Sequence, residues 1–189
     1  MRLVLASASP RRRALLEEAG LEFEVLPSLV AEEEPDRAAP APFARDLAVR
    51  KARACPAAPP ALVLGADTVV ALPDGRILGK PRDRAEAASH LRALSGTTHA
   101  VITGVCLREL PGGAEEVFHA ETRVTMRALT DEEIGAYART GEGMDKAGGY
   151  AIQEGGDRFV TRLEGSRSNV VGLPVEELLR RLAARGIRP

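Results

Sequence analysis

Residues 5–20 read LASASPRRRALLEEAG, directly after the apolar run Leu3-Val4-Leu5. The three apolar residues fit a short buried strand, while Ala14, Leu15, Leu16 and Ala19 recur at helical spacing. Ser9 suits the N-cap of that helix. Pro10 suits its first turn, where the fixed φ is already helical and a missing N–H costs nothing, and Gly20 suits its left-handed end. A strand that feeds a helix this early predicts an α/β protein. The charge at the junction is unusual. A helix N-terminus carries a positive partial charge and favours acidic residues, yet Arg11, Arg12 and Arg13 fill the first turn. Two readings follow: an anion site of free N–H groups, hydroxyls and guanidinium forks, or a capped surface helix with solvated arginines.

The remainder of the 189 residues bounds the class. With 44% apolar content the chain can bury a sizeable core and is expected to form one domain over 1–189. The net charge of −1 leaves no global basic field for nucleic acid, so any anion site has to be local. Cys55 and Cys106 form no C-x-x-C pair, and no signal peptide or bilayer-length apolar run is present. A soluble cytoplasmic protein with no membrane contact is the expectation. Of 26 basic residues only Lys51, Lys80 and Lys146 are lysines. Arginine and lysine interchange freely on a solvated surface but not where a compact ammonium must approach a phosphate. The three lysines are therefore candidates for chemistry, against the plain alternative of chance survival at exposed positions.

Periodicity and turn residues lay out the rest. LEFEVLPS alternates as a strand, AEEEPDRAAPAP is a polar loop, and a helix is predicted over 43–54. ALVLGADTVVAL reads as a buried strand that breaks at Gly65–Thr68, followed by a hairpin at PDGR and a short strand in ILGKP. Asp83 with Glu86, and Thr130 with Glu133, have the spacing of capping boxes. HAVITGVCLREL and EEVFHAETRVTM predict two long strands projecting as a ribbon. Short strands are expected at 150–153, 159–163 and 169–171, and Pro174 opens a terminal helix. Hairpins mixed with crossovers predict an elongated mixed β-sheet with packed helices.

The chemistry gathers around Asp67. A carboxylate at the break of a buried strand, after Gly65-Ala66, is either a catalytic group or a turn aspartate bonding its own backbone. Arg11, Arg12, Lys51, Lys80 and Lys146 set against Asp67 and a glutamate of the Glu32–Glu34 run are what a polyphosphate with a divalent cation requires. No P-loop, dinucleotide fingerprint or G-x-S-x-G elbow is present, and His90, His99 and His119 lack ligand spacing. Carboxylates would run any reaction here.

In order along the chain, LASASPRRRALL (5–16), VAEE (30–33), LAVRKA (47–52), GADTVV (65–70), GKPRD (79–83), LSGTTH (94–99), MDKAGGYAIQ (144–153) and NVVGLP (169–174) resemble the Maf family of nucleotide pyrophosphatases. The resemblance implies a fold of two lobes around a central cleft and hydrolysis of a nucleoside triphosphate to the monophosphate and pyrophosphate. It also implies a divalent cation, Mg²⁺ or Mn²⁺, and a homodimer. By position, Asp67 would activate water and, with Glu32, hold the metal. Arg12, Lys51 and Lys80 would grip phosphates, with Ser7, Ser9 and Lys146 in the same pocket. Arg11, Thr68 and Gln153 match members selective for dTTP and UTP, and an amide and a hydroxyl can pair with a pyrimidine edge. Other roles that the family suggests are hydrolysis of 7-methyl-GTP or another modified nucleotide, and nucleotide-responsive regulation of septum formation. Two departures stand out: Ala31, where many members are acidic, and Glu154, where glycine is usual.

Overall fold

The computed structural model describes residues 1–30 and 39–189; Glu32 and the rest of the acidic run lie outside the described residues. The junction behaves as its sequence directs. β1 (Arg2–Leu5) runs into α1 (Pro10–Glu18), whose N-cap Ser9 accepts a hydrogen bond from the Arg12 N–H. β2 (Phe23–Val25) and α2 (Pro40–Arg53) follow, then β3 (Ala61–Ala71) and β4 (Ile77–Leu78). Next come α3 (Arg84–Leu94), the long β5 (Thr98–Leu110) and β6 (Glu115–Met126), and α4 (Asp131–Thr140). The chain closes with β7 (Val160–Glu164), α5 (Arg167–Val171) and α6 (Val175–Ala183).

One mixed sheet, in the order β2-β1-β3-β5-β6-β7, organises all of this, with β4 paired to β3. β1 is parallel to both β2 and β3, and the remaining pairs are antiparallel. β5 pairs with β3 from Ala61 to Ala71 and with β6 from Thr98 to Arg108. The expected projecting ribbon is instead the middle of the sheet, since apolar residues on both faces of β5 are buried between helices. β3 has β1 beside it at 61–64 and β4 beside it at 70–71. Between them, residues 65–69 have no strand on that side among the described residues.

Strand alternation assigns the two faces. Leu62, Leu64, Val105 and Leu107 share a core with Leu15 and Leu16 of α1 and Leu178 and Leu182 of α6. Further along the same face, Val70 and Val101 pack with Leu91 and Leu94 of α3 and Ile134 and Tyr137 of α4. These two cores form the two lobes. The opposite face is covered by α2 through a stripe of small residues, Ala44, Ala48 and Ala52, spaced one turn apart. The stripe lies on glycines: a Cβ at Gly65 would meet Ala48 O at 2.3 Å, and one at Gly104 would meet Ala44 O at 2.3 Å. Only glycine lets a helix backbone approach a strand this closely.

That packing corrects the reading of β3. Gly65 does not break the strand; it admits α2, and Asp67 lies mid-strand opposite Gly104. Two further expectations give way. No strand forms at 150–153, and 169–171 belongs to a short helix, because Ser166 caps it by accepting from Asn169 N and Gly172 ends it. Thr130 and Glu133 form a reciprocal capping box, whereas Glu86 accepts from Arg82 and so does not return to Asp83.

Candidate active site

The cleft between the lobes, about 490 Å³, opens beside residues 65–69 of β3. Ser9, Arg11, Arg12, Lys51, Asp67, Thr68, Lys80, Lys146 and Gln153 all line it. Ser7 stands behind it, 9% exposed, and Glu32 is outside the described residues. Asp67 and Thr68 are consecutive residues on opposite faces of β3. The cleft reaches both because it opens past the strand edge.

On the α2 face, Lys51 Nζ donates to Asp67 Oδ1 at 2.5 Å, with 13% and 14% of the two side chains exposed. Lys51 is brought there by the same helix turn that seats Ala48 and Ala52 on Gly65. Asp67 Oδ2 carries no hydrogen bond among the described residues, which leaves it open toward the cleft for a water or a hard cation.

On the other face Arg12 is 8% exposed and its guanidinium is held at each end. Nε donates to Gly172 O at 2.9 Å, Nη1 to Ser7 Oγ at 3.2 Å and Nη2 to Thr68 Oγ1 at 3.1 Å. Ser7 thus positions Arg12 instead of lining the cleft itself. Arg13 points away and pairs with Glu17 one helical turn on, as a solvated charge.

A group that sequence reasoning missed stands at the cleft mouth. Asp145 accepts from Arg11 Nη1 and from Lys146 Nζ, each at 2.7 Å. Burial works to raise its pKa, but the hydrogen bonds from Lys146 and Arg11 more than offset that and hold it at about 2. Asp145 precedes a singled-out lysine, which was its only signal. Lys146 also donates to Glu142 O at 2.6 Å and has Glu154 at 3.7 Å, so the acidic departure at 154 faces a lysine. Deeper in, Tyr150 lines the wall with its hydroxyl 2.7 Å from His99 Nε2.

Among the described residues no cluster of three or more His, Cys, Asp or Glu could hold a metal by itself. The donor set still fits a hard cation shared with a ligand, because Mg²⁺ characteristically takes one or two carboxylates and fills its remaining positions with water and phosphate oxygens. Nor is any helix among them long and apolar enough to cross a membrane.

Fold and cleft together define an α/β protein with a cation-lined site for a polyanion, one carboxylate at its centre. The family model described as "Maf-like protein" matches residues 2–185, and the chain belongs to that family. Curated relatives agree. A protein of Moorella thermoacetica named dTTP/UTP pyrophosphatase is 53% identical over 182 residues, covering 94% of this chain and 93% of its own. Proteins of the same name from Pelotomaculum thermopropionicum and Deinococcus radiodurans are each 49% identical, covering 93% and 98% of this chain and 92% and 94% of theirs. A solved dITP/XTP pyrophosphatase from Mycobacterium abscessus is similar over 98% of both chains, but at 17% identity and a TM-score of 0.45 the likeness is too loose to bear on the site.

Proposed function

We propose that this protein hydrolyses dTTP and UTP to the monophosphate and pyrophosphate. The observation that carries the reading is the Lys51–Asp67 pair facing the same cleft as the anchored Arg12. A nucleoside triphosphate needs its phosphates neutralised and a base placed beside the water that attacks the α-phosphorus. Asp67 accepts the proton of that water, oriented by the ammonium on its other oxygen. Arg12, Lys51 and Lys80 grip phosphoryl oxygens, with Ser9 and the α1 N-terminus supplying hydroxyl and N–H donors. Lys146 and Arg11 add charge at the mouth, Thr68 bonds Arg12 through its hydroxyl, and Gln153 belongs to the nucleotide end of the site. A divalent cation, Mg²⁺ or Mn²⁺, would be held by Asp67 with Glu32 and would polarise the phosphoryl oxygens.

The relatives' name supports the choice of dTTP and UTP. The single-domain reading over 1–189 follows the one sheet that joins both lobes. Cytoplasmic location is supported by Cys55 and Cys106, which are buried and unpaired. The homodimer rests on the family resemblance.

The test is a panel of canonical and modified triphosphates, 7-methyl-GTP included, incubated with each metal and assayed for the anion released. Pyrophosphate from dTTP and UTP in preference to the others is expected, and Asp67→Asn should abolish it while nucleotide still binds. Release of orthophosphate, preference for a modified nucleotide, or an active Asp67→Asn protein would overturn the reading.

A further inference from the structure

Thr103 has no part in the reading above, and its surroundings give it one. It sits on β5 directly opposite Thr68, on the Arg12 face, and is wholly buried. Its Oγ1 lies 2.9 Å from Thr68 Oγ1 and 3.1 Å from Asn169 O. Thr68 Oγ1 in turn accepts from Arg12 Nη2 at 3.1 Å and has Gly172 O at 3.4 Å.

A hydroxyl has one hydrogen to give and two lone pairs to receive. If Thr103 donates to Asn169 O, Thr68 donates to Thr103. If Thr103 donates to Thr68, then Thr68 donates to Gly172 O. In the first arrangement the Thr68 hydrogen is committed to Thr103, so Thr68 offers a nucleobase no donor; in the second it has only the long contact to Gly172 O. The first arrangement is favoured, because a charged guanidinium polarises the hydroxyl it donates to and makes that hydroxyl a better donor in turn. The chain then runs in one direction, from Arg12 through Thr68 and Thr103 to the Asn169 carbonyl.

We propose that Thr103 is a positioning residue for Arg12, acting through the Thr68 hydroxyl. The pair fixes the angle at which the guanidinium meets phosphate and leaves the choice of base to other groups. This inference rests on the pyrophosphatase reading for its catalytic consequence, but its structural content is readable without turnover.

The experiment compares wild type, Thr103→Val, Thr103→Ser, Thr68→Val and the Thr68→Val/Thr103→Val double variant. KM and kcat are measured for each triphosphate, and binding of inorganic tripolyphosphate is measured by calorimetry. Losing one net hydrogen bond behind Arg12 should raise KM and the tripolyphosphate Kd by about fivefold in Thr103→Val. The factor should be the same for every nucleotide, and Thr103→Ser should restore it. The double variant should be no worse than Thr68→Val alone, because the two act as one unit. Multiplying losses in the double variant, a Thr103→Val change confined to stability or kcat, a base-dependent loss, or a wild type indifferent to tripolyphosphate would each overturn the proposal. A protein that binds tripolyphosphate but hydrolyses no nucleotide refutes the functional reading alone, and its binding factors still decide Thr103.

Discussion

Replacing Gly65 by alanine should damage the chemistry through packing. The added Cβ would stand 2.3 Å from Ala48 O, 2.7 Å from Ala52 N and 2.9 Å from Ala52 Cβ. The first two are backbone atoms of α2 and cannot rotate aside. Carbon–oxygen contacts ordinarily begin at about 3.3 Å, so the helix has to retreat by about 1 Å. Overpacking of this kind costs about 1–3 kcal/mol. For a chain of this length that lowers Tm by about 2–12 °C. The retreat also moves Lys51, which lies between Ala48 and Ala52 and reaches Asp67 at 2.5 Å. A displacement of about 1 Å in a reacting group can cost on the order of a hundredfold in rate. Thermal melts by circular dichroism and kcat at a temperature far below either Tm would separate the two effects. Gly135→Ala is the control, since its Cβ meets only the flexible Arg139 side chain at 3.4 Å and removes a glycine from the interior of α4. It should gain about 0.5–1 kcal/mol. A Gly65→Ala protein with wild-type Tm would refute the packing argument; one that melts early yet turns over normally would refute the link from α2 to activity through the Lys51–Asp67 pair.

His99 should make stability depend on acid. Burial lowers its pKa from 6.5 to about 4, so the unfolded chain takes up the proton first as pH falls. Its contribution is complete above 6.5 and is lost as pH drops toward 4, about 2 kcal/mol by pH 5. Urea midpoints of wild type and His99→Gln should therefore converge between pH 7.5 and pH 5, and parallel curves would discount the histidine. At the cleft mouth, Asp145→Asn removes the carboxylate that occupies Arg11 and Lys146, so KM for the triphosphate should fall about threefold, in keeping with a largely exposed charge. A rise in KM would mean that Asp145 holds those cations in place for the substrate.

Local signals carried much of this molecule. The Ser9-Pro10 start of α1, the Thr130–Glu133 box and the scarce lysines were readable because each depends on residues a few positions apart or on the chemistry of one side chain. Lys51, Lys80 and Lys146 do converge on a single cleft with Arg12 and Asp67. What escaped depends on partners distant in sequence. Gly65 read as a strand break because the helix that requires it lies more than ten residues earlier and shows only as an alanine stripe. Thr103 is an ordinary β-branched strand residue until register sets it against Thr68. Asn169-Val170-Val171 has the composition of a strand, yet the Ser166 cap and Gly172 bend it into a helix whose end supplies the Gly172 carbonyl to Arg12.

The stretch of β3 at 65–69, which has no strand beside it on one side among the described residues, bears on the life of the chain before and after folding. ALVLGADTVVA is long, rich in β-formers and free of proline, the kind of segment that recruits a second copy of itself when its edge is bare. Asp67 is its one charge. A like strand laid in register against it would have to bring carboxylates together, and in the folded protein an intruder would have to strip water from Lys51 and Asp67 at once. The carboxylate proposed as the base is thus also the one charge that opposes pairing of this segment with a copy of itself, and substitutions there should be judged on soluble yield as well as on turnover.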